Sequence, residues 1–321
     1  MSYLKATNEL YREAALTPDV GLCCTTNPIW QLPGLTVPKI MQEMNYGCGS
    51  TVNAQDLAGN PKILYVGVGG GMELLQFAYF SRQPGGVIGV DVVDEMLEAS
   101  RANFQVAAAE NSWFDPRFVE LVKGDALNLP VADESVDVAA QNCLFNIFKE
   151  EDLRLAVAEM YRVLKPRGRL VMSDPVCDTP LSQTLRNDDR LRALCLSGSI
   201  PVNDYIRVLT NAGFGTIEVR ARRLYRVLSP NHYPVDRLIP IESIEVAAIK
   251  DPMPEDGPCV FTGKTAIYYG NQKVYDDGKG HVLVQNQPLA VCDKTAAALA
   301  LENAEIHVSD STWHYTGGGC C

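Results

Sequence analysis

The chain has 321 residues, of which 46% are hydrophobic and 21% charged, and its formal net charge is −11 at pH 7. The composition is typical of a soluble globular protein, and the length predicts two domains. The acidic balance argues against binding to nucleic acid or to an anionic membrane, because phosphate recognition needs a basic face. No apolar run is long enough to cross a membrane and the N-terminus lacks the core of a signal peptide, so we expect a cytoplasmic monomer.

Residues 1–50 form an N-terminal segment that carries cysteines. An amphipathic helix is predicted around Leu4 and Tyr11, and a second helix is predicted from Pro38 to about Met44. The segment ends in NYGCGS (45–50), where Cys48 stands between two glycines. Glycine makes the backbone permissive, so we expect a loose loop in which Cys48 has little to pack against.

Residues 51–228 alternate apolar strands with helical patterns. Strands are predicted in PKILYV (61–66), GGVIGVD (85–91), RFVELVKGD (117–125), ESVDVAAQN (134–142) and RLVMSDPV (169–176). Helical patterns follow the first two strands, and a further helix is predicted over 150–164. This alternation predicts a doubly wound, Rossmann-like α/β sheet with helices on both faces.

Polar residues and glycines at the predicted strand ends indicate a nucleoside site, since ligands bind at the carboxyl ends of such strands. A dinucleotide fingerprint would need glycine at the sixth position of the motif, counted with Gly67 as the first, where the chain has Met72. Asp91 lies 20 residues beyond Gly71, where a carboxylate can accept bonds from ribose hydroxyls. The candidate ligand-binding residues are Gly67, Gly69, Gly71, Asp91, Met96, Asp125, Ala126 and Asn142.

The chain has, in this order, a glycine turn, an acidic residue placed for the ribose hydroxyls (Asp91) and an acidic residue placed for the adenine amino group (Asp125). This order resembles that of the class I S-adenosylmethionine-dependent methyltransferases. That resemblance implies S-adenosylmethionine as the cofactor, with Asp125 near the adenine amino group. One position departs from the family pattern, because Tyr65 stands two places before the first glycine. The family usually has an acidic residue there, which steadies the turn and the amino end of the donor.

The acceptor site is indicated by cysteines rather than by a general base. All four histidines lie beyond residue 230, outside the predicted donor-binding core. Cys143 follows the fourth strand, Cys195 lies in an insertion after the fifth, and Cys48 precedes the core. Three converging thiols suit a soft, thiophilic centre. Trivalent arsenic takes three thiolates, and its lone pair can attack a methyl group without a base.

The cysteine motifs resemble those of the arsenite methyltransferases. The matching stretches are CCTTNP (23–28), YGCGS (46–50), QNCLFN (141–146), LCLSG (194–198) and GGGCC (317–321). The resemblance implies that Cys48, Cys143 and Cys195 bind arsenic(III), with arsenite or its thiol conjugates as substrate. It also implies a disulfide between Cys48 and Cys23, or its neighbour Cys24, which thioredoxin or glutathione would reduce. A thiol that binds arsenic and then forms a disulfide needs a mobile loop, which the two glycines around Cys48 would provide.

The remaining chain is predicted to form a small α+β domain over 229–316 and a flexible tail over 317–321. We expect Cys177 and Cys292 to be buried structural thiols, and we expect Gln141, Asn142 and Asn146 to orient the donor or the cysteines. Two other functions remain open. A methyltransferase of the quinone or sterol type would have an apolar acceptor cavity and an activity indifferent to Cys→Ser changes. A thiol protein that sequesters metal ions would not need the glycine turn or Asp91.

Overall fold

A computed structural model describes residues 3–19, 22 and 31–312 of the chain. The helices are α1 (Tyr3–Leu16), α2 (Lys39–Glu43), α3 (Met72–Ser81), α4 (Asp94–Glu110), α5 (Glu150–Val163), α6 (Gln183–Arg186), α7 (Asp189–Ala193), α8 (Val202–Asn211) and α9 (Asp293–Glu302). The first strands are β1 (Ile63–Val66), β2 (Val87–Asp91), β3 (Val119–Lys123), β4 (Val136–Asn142), β5 (Leu164–Cys177), β6 (Ile200–Pro201) and β7 (Thr216–Leu228). The later strands are β8 (Ile239–Ile249), β9 (Cys259–Phe261), β10 (Thr265–Tyr268), β11 (Val274–Asp276), β12 (Val282–Val284), β13 (Pro288–Ala290) and β14 (Ile306–Val308).

The main sheet has the order β3-β2-β1-β4-β5-β8-β7-β9, with β6 beside β5. Strands β1 to β5 run parallel, and β8 is antiparallel to both β5 and β7. All four residues of β1 are buried, as expected for a central strand covered on both faces. The predicted doubly wound α/β core is confirmed, and its strand order reverses between β1 and β4.

The hairpin of β7 and β8 changes the predicted domain boundary. The sequence placed residues 239–249 in the C-terminal domain, whereas β8 lies inside the main sheet, where Val246 pairs with Met172 and with Val219. The predicted linker at 229–235 is therefore part of the connection between two paired strands. The local pattern identifies a strand there, but only its long-range hydrogen bonds decide which sheet it joins.

The C-terminal residues form a smaller α+β unit, as predicted. Strands β13, β10 and β14 make an antiparallel sheet, β11 and β12 form a hairpin, and α9 packs against them. This unit has its own core, which includes Ala266, Tyr268, Leu283 and Leu299.

Helices α1 and α2 and the loop at 44–50 lie over the main sheet. Helix α1 packs on α4 and α7, and the hydroxyl of Tyr46 donates to the carbonyl of Ala14 at 3.0 Å. The amide of Gly70 donates to the carbonyl of Met44 at 3.3 Å. The N-terminal segment thus lies against the carboxyl ends of the parallel strands.

Candidate functional site

The turn between β1 and α3 provides the first wall of the site. Gly67, Gly69 and Gly71 have backbone φ angles of +83°, +51° and +87°, a left-handed conformation that suits glycine. A Cβ added to Gly67 would find its nearest neighbours in the Leu144 side chain, at 3.8 Å and beyond. Gly67 and Gly69 therefore border open space, a cavity at the carboxyl ends of β1, β2 and β4. Gly71 does not line this cavity; it is the N-cap residue of α3 and faces the ring of Phe104.

Asp91 joins the glycine turn to the end of β2. One carboxylate oxygen accepts the backbone N–H of Val68 and the other accepts that of Val93, both at 2.9 Å. Burial raises the pKa of Asp91 to about 6. Each oxygen of an ionised carboxylate has a second acceptor position. Asp91 can therefore hold the turn in place and still accept hydroxyl groups from a ligand in the cavity.

Three further predicted donor-site residues lie in the same cavity. Met96 and Ala126 are buried, whereas Asp125 is exposed, and all three line the cavity. One oxygen of Asp125 accepts the amide of Leu127 at 2.9 Å, which fixes the carboxylate at the start of this loop.

An acidic residue that the sequence analysis missed stands beside the glycine turn. Glu73, in the first turn of α3, is 5% exposed and lines the cavity. Its Oε1 accepts the amide and the hydroxyl of Thr51 at 2.9 and 3.1 Å, and its Oε2 accepts the hydroxyl of Tyr65 at 2.5 Å. Burial raises the pKa of Glu73, and burial together with the charge of Glu73 raises that of Tyr65. Tyr65 thus contacts a carboxylate that comes from α3 instead of supplying one from β1.

Asn142, at the end of β4, connects this carboxylate to the loop of Cys48. Its Nδ2 donates to Glu73 Oε2 at 3.2 Å and to the carbonyl of Gly49 at 2.9 Å. Its Oδ1 accepts the amide of Cys48 at 2.9 Å. Asn142 also lines the cavity, so one side chain positions both the candidate donor site and a candidate acceptor thiol.

Cys48 is fully buried, which corrects the expectation of a loosely held thiol. Its Sγ lies 3.5 Å from the hydroxyl of Ser173, and its carbonyl accepts Arg223 Nη2 at 2.6 Å. The amide of Ser50 donates to Glu245 at 3.1 Å. Side chains from strands β5, β7 and β8 therefore hold the loop of Cys48 in place.

The two glycines around Cys48 are explained by close packing. A Cβ on Gly49 would overlap the Ser173 hydroxyl and lie 3.0 Å from Ser173 Cβ. A Cβ on Gly47 would lie 2.6 Å from Asn142 Cγ. Both distances are shorter than ordinary van der Waals contact, so these positions exclude larger side chains. The inference of backbone mobility from the glycines is therefore wrong for this structure.

Cys143 and Cys195 touch each other at the same end of the sheet. The thiol of Cys195 donates to the carbonyl of Cys143 at 2.6 Å, and the amide of Cys143 donates to the carbonyl of Ser173 at 2.7 Å. Both cysteines have left-handed backbones, with φ of +64° and +59°, which is uncommon outside glycine and costs energy. Cys143 lines the cavity that the glycine turn borders. The structure thus places all three candidate cysteines around Ser173 and β4.

These cysteines are neighbours without being an assembled three-sulfur centre. Within residues 3–19, 22 and 31–312, no three His, Cys, Asp or Glu side chains are grouped so that they could hold a metal ion. Cys23 and Cys24 lie outside the described residues, as does the 317–321 tail. Cys177 and Cys292 are both buried, as predicted.

The amide side chains after β4 hold the segments that carry two of these thiols. Asn146 Nδ2 donates to the carbonyls of Pro175 and Cys195. Gln141 Oε1 accepts the amide of Leu144 at 2.8 Å, and its Nε2 donates to Asp174. Burial raises the pKa of Asp174 to about 7. Gln141 and Asn146 therefore position the cysteine-bearing backbone from behind the cavity.

Helix α1 covers one side of the cavity, a placement that the sequence does not reveal. Leu4, Thr7 and Tyr11 line the cavity from this helix. The hydroxyl of Tyr11 donates to the carbonyl of Ala193 at 3.3 Å, next to the segment of Cys195. The amphipathic pattern predicts the helix, but not the surface on which its apolar side packs.

The cavity fits a nucleoside donor that carries an amino acid group. It offers a glycine backbone at the strand order switch, Asp91 for hydroxyl groups and the buried carboxylate of Glu73 beside the turn. Residues 64–172 match the family described as the methyltransferase domain. This part of the chain is therefore a methyltransferase domain of the class I S-adenosylmethionine-dependent type, for which S-adenosylmethionine is the methyl donor.

Among the relatives, an arsenite methyltransferase of Halobacterium salinarum is 33% identical over 177 residues, which are 55% of this chain and 43% of that protein. An arsenite methyltransferase of Aquipseudomonas alcaligenes is 32% identical over 195 residues, 60% of this chain and 55% of that protein. The chain thus spans about half the length of the curated relatives that it matches. A crystal structure of an arsenic(III) S-adenosylmethionine methyltransferase from Chlamydomonas reinhardtii shares the fold with a TM-score of 0.60 and 24% identity. The structural match covers 87% of this chain and 95% of the Chlamydomonas reinhardtii chain.

The part of the chain that the structure describes contains no helix with the length and apolar character needed to span a bilayer.

Proposed function

We propose that this protein methylates trivalent arsenic, with S-adenosylmethionine as the donor and with Cys48, Cys143 and Cys195 as the arsenic ligands. The observation that carries the proposal is the position of Cys143. It lines the cavity of the glycine turn, accepts a bond from the thiol of Cys195, and shares Ser173 as a neighbour with Cys48. The similarity to two arsenite methyltransferases over more than half of the chain supports the same substrate class.

Arsenic binding at these thiols is balanced without a general base. Arsenite, As(OH)3, exchanges three hydroxyl groups for three sulfur atoms, and each thiol proton leaves in a water molecule. A soft trivalent centre prefers sulfur to oxygen or nitrogen ligands. Because the three thiols are not assembled beforehand, binding has to bring Cys48 across from Ser173. Such closure on binding is common at enzyme sites.

The donor site is assigned to the residues around the glycine turn. S-adenosylmethionine supplies an electrophilic methyl group when it is bound. Glu73 holds the donor's ammonium group, Asp91 accepts the ribose hydroxyls, and Asp125 receives the adenine amino group. Asn142 connects Glu73 to Cys48, so that the donor and the acceptor thiol share one positioning side chain. Fixing two reactants in line accounts for a large part of the rate enhancement in such transfers.

The return of arsenic to the trivalent state requires two thiols that can form a disulfide. Methylation uses the arsenic lone pair and leaves arsenic in the pentavalent state, so two electrons must be returned. We assign these to Cys48 and Cys23, or its neighbour Cys24. The free thiol attacks the arsenic-bound sulfur of Cys48 and releases its one proton, an S–S bond forms, and the As–S bond of Cys48 breaks with its electron pair left on arsenic. Thioredoxin or glutathione then restores the two thiols. Since Cys48 is buried against Ser173, this step requires the loop to leave its packed position.

The test is a product assay with matched cysteine variants. Reduced protein is incubated with arsenite, a thiol reductant and S-adenosylmethionine, and methylated arsenicals are separated and quantified by mass spectrometry. We expect Cys143→Ser and Cys195→Ser to lower turnover by roughly 100-fold or more, since a ligand of the reacting atom is lost. Cys177→Ser is the control, because that thiol is buried outside the cavity lining. Absence of methylated arsenic in the wild type, or unchanged turnover in both variants, would overturn the proposal.

The apolar part of the cavity favours a second candidate function. Leu4, Leu144, Ile147 and Phe148 line it together with the glycine turn. These side chains would suit a quinone-like or sterol-like acceptor that is methylated at carbon or oxygen. The same variants separate the two functions, because such an acceptor does not need the thiols of Cys143 and Cys195.

A further inference from the structure

A second pair of thiols lies outside the cavity, where the C-terminal unit meets the main sheet. Cys259 is the first residue of β9, which pairs with β7, and Cys292 directly precedes α9. The two side chains are close enough for Cys292 to raise the pKa of the Cys259 thiol, and β9 packs beside α9. Cys292 is buried, Cys259 is partly exposed, and neither is in a disulfide. The fold thus brings together two thiols that are 33 residues apart in the sequence.

Contacts on both sides of the pair hold the two segments together. Before Cys259, the carbonyl of Gly257 accepts Lys294 Nζ at 2.7 Å. After Cys259, the hydroxyl of Thr262 donates to Asp293 at 2.7 Å. These bonds fix the start of β9 against the first turn of α9, so the two thiols do not depend on a mobile loop to meet.

A line of polar side chains leads away from the pair. Cys292 Sγ lies 3.2 Å from the hydroxyl of Thr295, which is 3.4 Å from His281 Nε2. His281 Nδ1 is 2.6 Å from a carboxylate oxygen of Asp277. Burial and the neighbouring Cys292 raise the pKa of Cys259, so this thiol carries its proton at neutral pH. The pair therefore consists of two free thiols in a polar, partly accessible setting.

We propose that Cys259 and Cys292 form a second thiophilic site, which binds a monosubstituted trivalent arsenical through two As–S bonds. An arsenical R–As(OH)2 has two exchangeable positions, which match two thiols. Two S–H and two As–OH bonds break, two As–S bonds form, and two water molecules leave. Arsenic stays trivalent, so the step needs no oxidant or reductant. This proposal goes beyond methyl transfer, because the site lies apart from the donor cavity and uses none of its residues.

The test uses phenylarsine oxide, whose hydrate has the required R–As(OH)2 form, and a variant in which only Cys177, Cys259 and Cys292 remain. The other seven of the ten cysteines are changed to serine, so the arsenic ligands assigned to methyl transfer are absent. We expect one arsenical per chain by intact mass. Cys259→Ser or Cys292→Ser in this background should weaken binding by roughly 100-fold or more, because closing the second bond is intramolecular. Cys177→Ser is the matched control and should leave binding unchanged.

Peptide mapping locates the bound arsenical in the wild-type protein as well, which keeps the test valid if the seven-fold variant fails to fold. Tryptic peptides 251–264 and 280–294 each contain one cysteine of the pair. Saturating arsenical should protect both from alkylation, and a competing dithiol should restore alkylation. Unprotected peptides, or full binding in the Cys259→Ser background, would overturn the proposal. Methylation by the wild type is scored separately, so failure of one proposal does not imply failure of the other.

Discussion

Replacing Gly49 by alanine tests whether the Cys48 loop is a packed element of the site. The added Cβ would overlap the Ser173 hydroxyl and lie 3.1 Å from Glu245 Oε1. Because β5 and β8 are central strands of the main sheet, we expect the Ser173 hydroxyl to rotate or the loop to shift. Rotation of Ser173 would disturb its contacts with Ser243 at 3.2 Å and with Cys48 at 3.5 Å.

The magnitude follows from these contacts. Overpacking a close-packed site costs about 1–3 kcal/mol of unfolding free energy, and Ser173→Ala alone should cost about 1 kcal/mol through its lost hydrogen bond. The double variant removes the overlapping oxygen, so its cost should be smaller than the sum of the two single costs by about 1 kcal/mol. Gly47→Ala is the matched control, because its Cβ would meet Asn142 instead and Ser173→Ala should not rescue it.

Urea denaturation of the four proteins in this cycle measures the unfolding free energies, and the arsenite methylation rate is measured in parallel. Displacement of Cys48 by about 1 Å should lower turnover by roughly 100-fold in Gly49→Ala. If the two changes were additive within about 0.5 kcal/mol, the side chains would not be coupled and the packing argument would be refuted.

Four further predictions concern the donor cavity and its support. Glu73→Gln removes the buried charge at constant size, so affinity for S-adenosylhomocysteine in calorimetry should fall by about 1.5–3 kcal/mol, and unchanged affinity would exclude an ammonium contact. The affinity for S-adenosylhomocysteine should also fall as the pH drops below about 6, because Asp91 becomes protonated there. An equal pH profile in Asp91→Asn would contradict the assignment of Asp91 to the ribose hydroxyls. The effect of pH on folding has the opposite sign. Because the pKa of Asp91 in the folded protein is raised above 3.8, its protonation stabilises the apo fold as the pH falls from about 6 towards 3.8. Urea denaturation should show this rise in unfolding free energy in the wild type and not in Asp91→Asn. Asn146→Ala removes the side-chain amide that donates to the carbonyls of Pro175 and Cys195, so the unfolding free energy should fall by about 1–3 kcal/mol and turnover should fall with it. Asn146→Asp keeps the size of the side chain but has no amide donor, so it should not rescue either loss.

The features that the sequence predicts well are those written in local patterns. Apolar runs that end at glycine, aspartate or asparagine place β1, β2 and β4 and identify the turn at Gly67, because strand and turn preferences act over a few residues. Asp91 follows from the same logic, since its position at a strand end puts it at the ligand-binding edge of the sheet.

The features that the sequence does not reveal depend on contacts between distant segments. Glu73 looks like an ordinary first-turn helix residue until the fold sets it against Tyr65 and Thr51. The burial of Cys48 depends on Ser173, which is 125 residues further along the chain. Flanking glycines are compatible with a loose loop and with a tightly packed one, and only the neighbouring strands decide between these.

The domain boundary was wrong for the same reason. The residues of β8 have a clear strand pattern, but β8 joins the main sheet through its pairing with β5 and β7. The meeting of Cys259 with Cys292 is equally invisible to local patterns, because it requires β9 to pack beside α9.

A single-turnover experiment tests the central claim most directly. Fully reduced protein in excess over arsenite receives methyl-labelled S-adenosylmethionine without added thiol, and the label on arsenic is counted. The account predicts that label transfers to arsenic in the wild type and in Cys177→Ser, but not in Cys143→Ser. Label that stays on the donor in the wild type, or that reaches arsenic equally in Cys143→Ser, would contradict it.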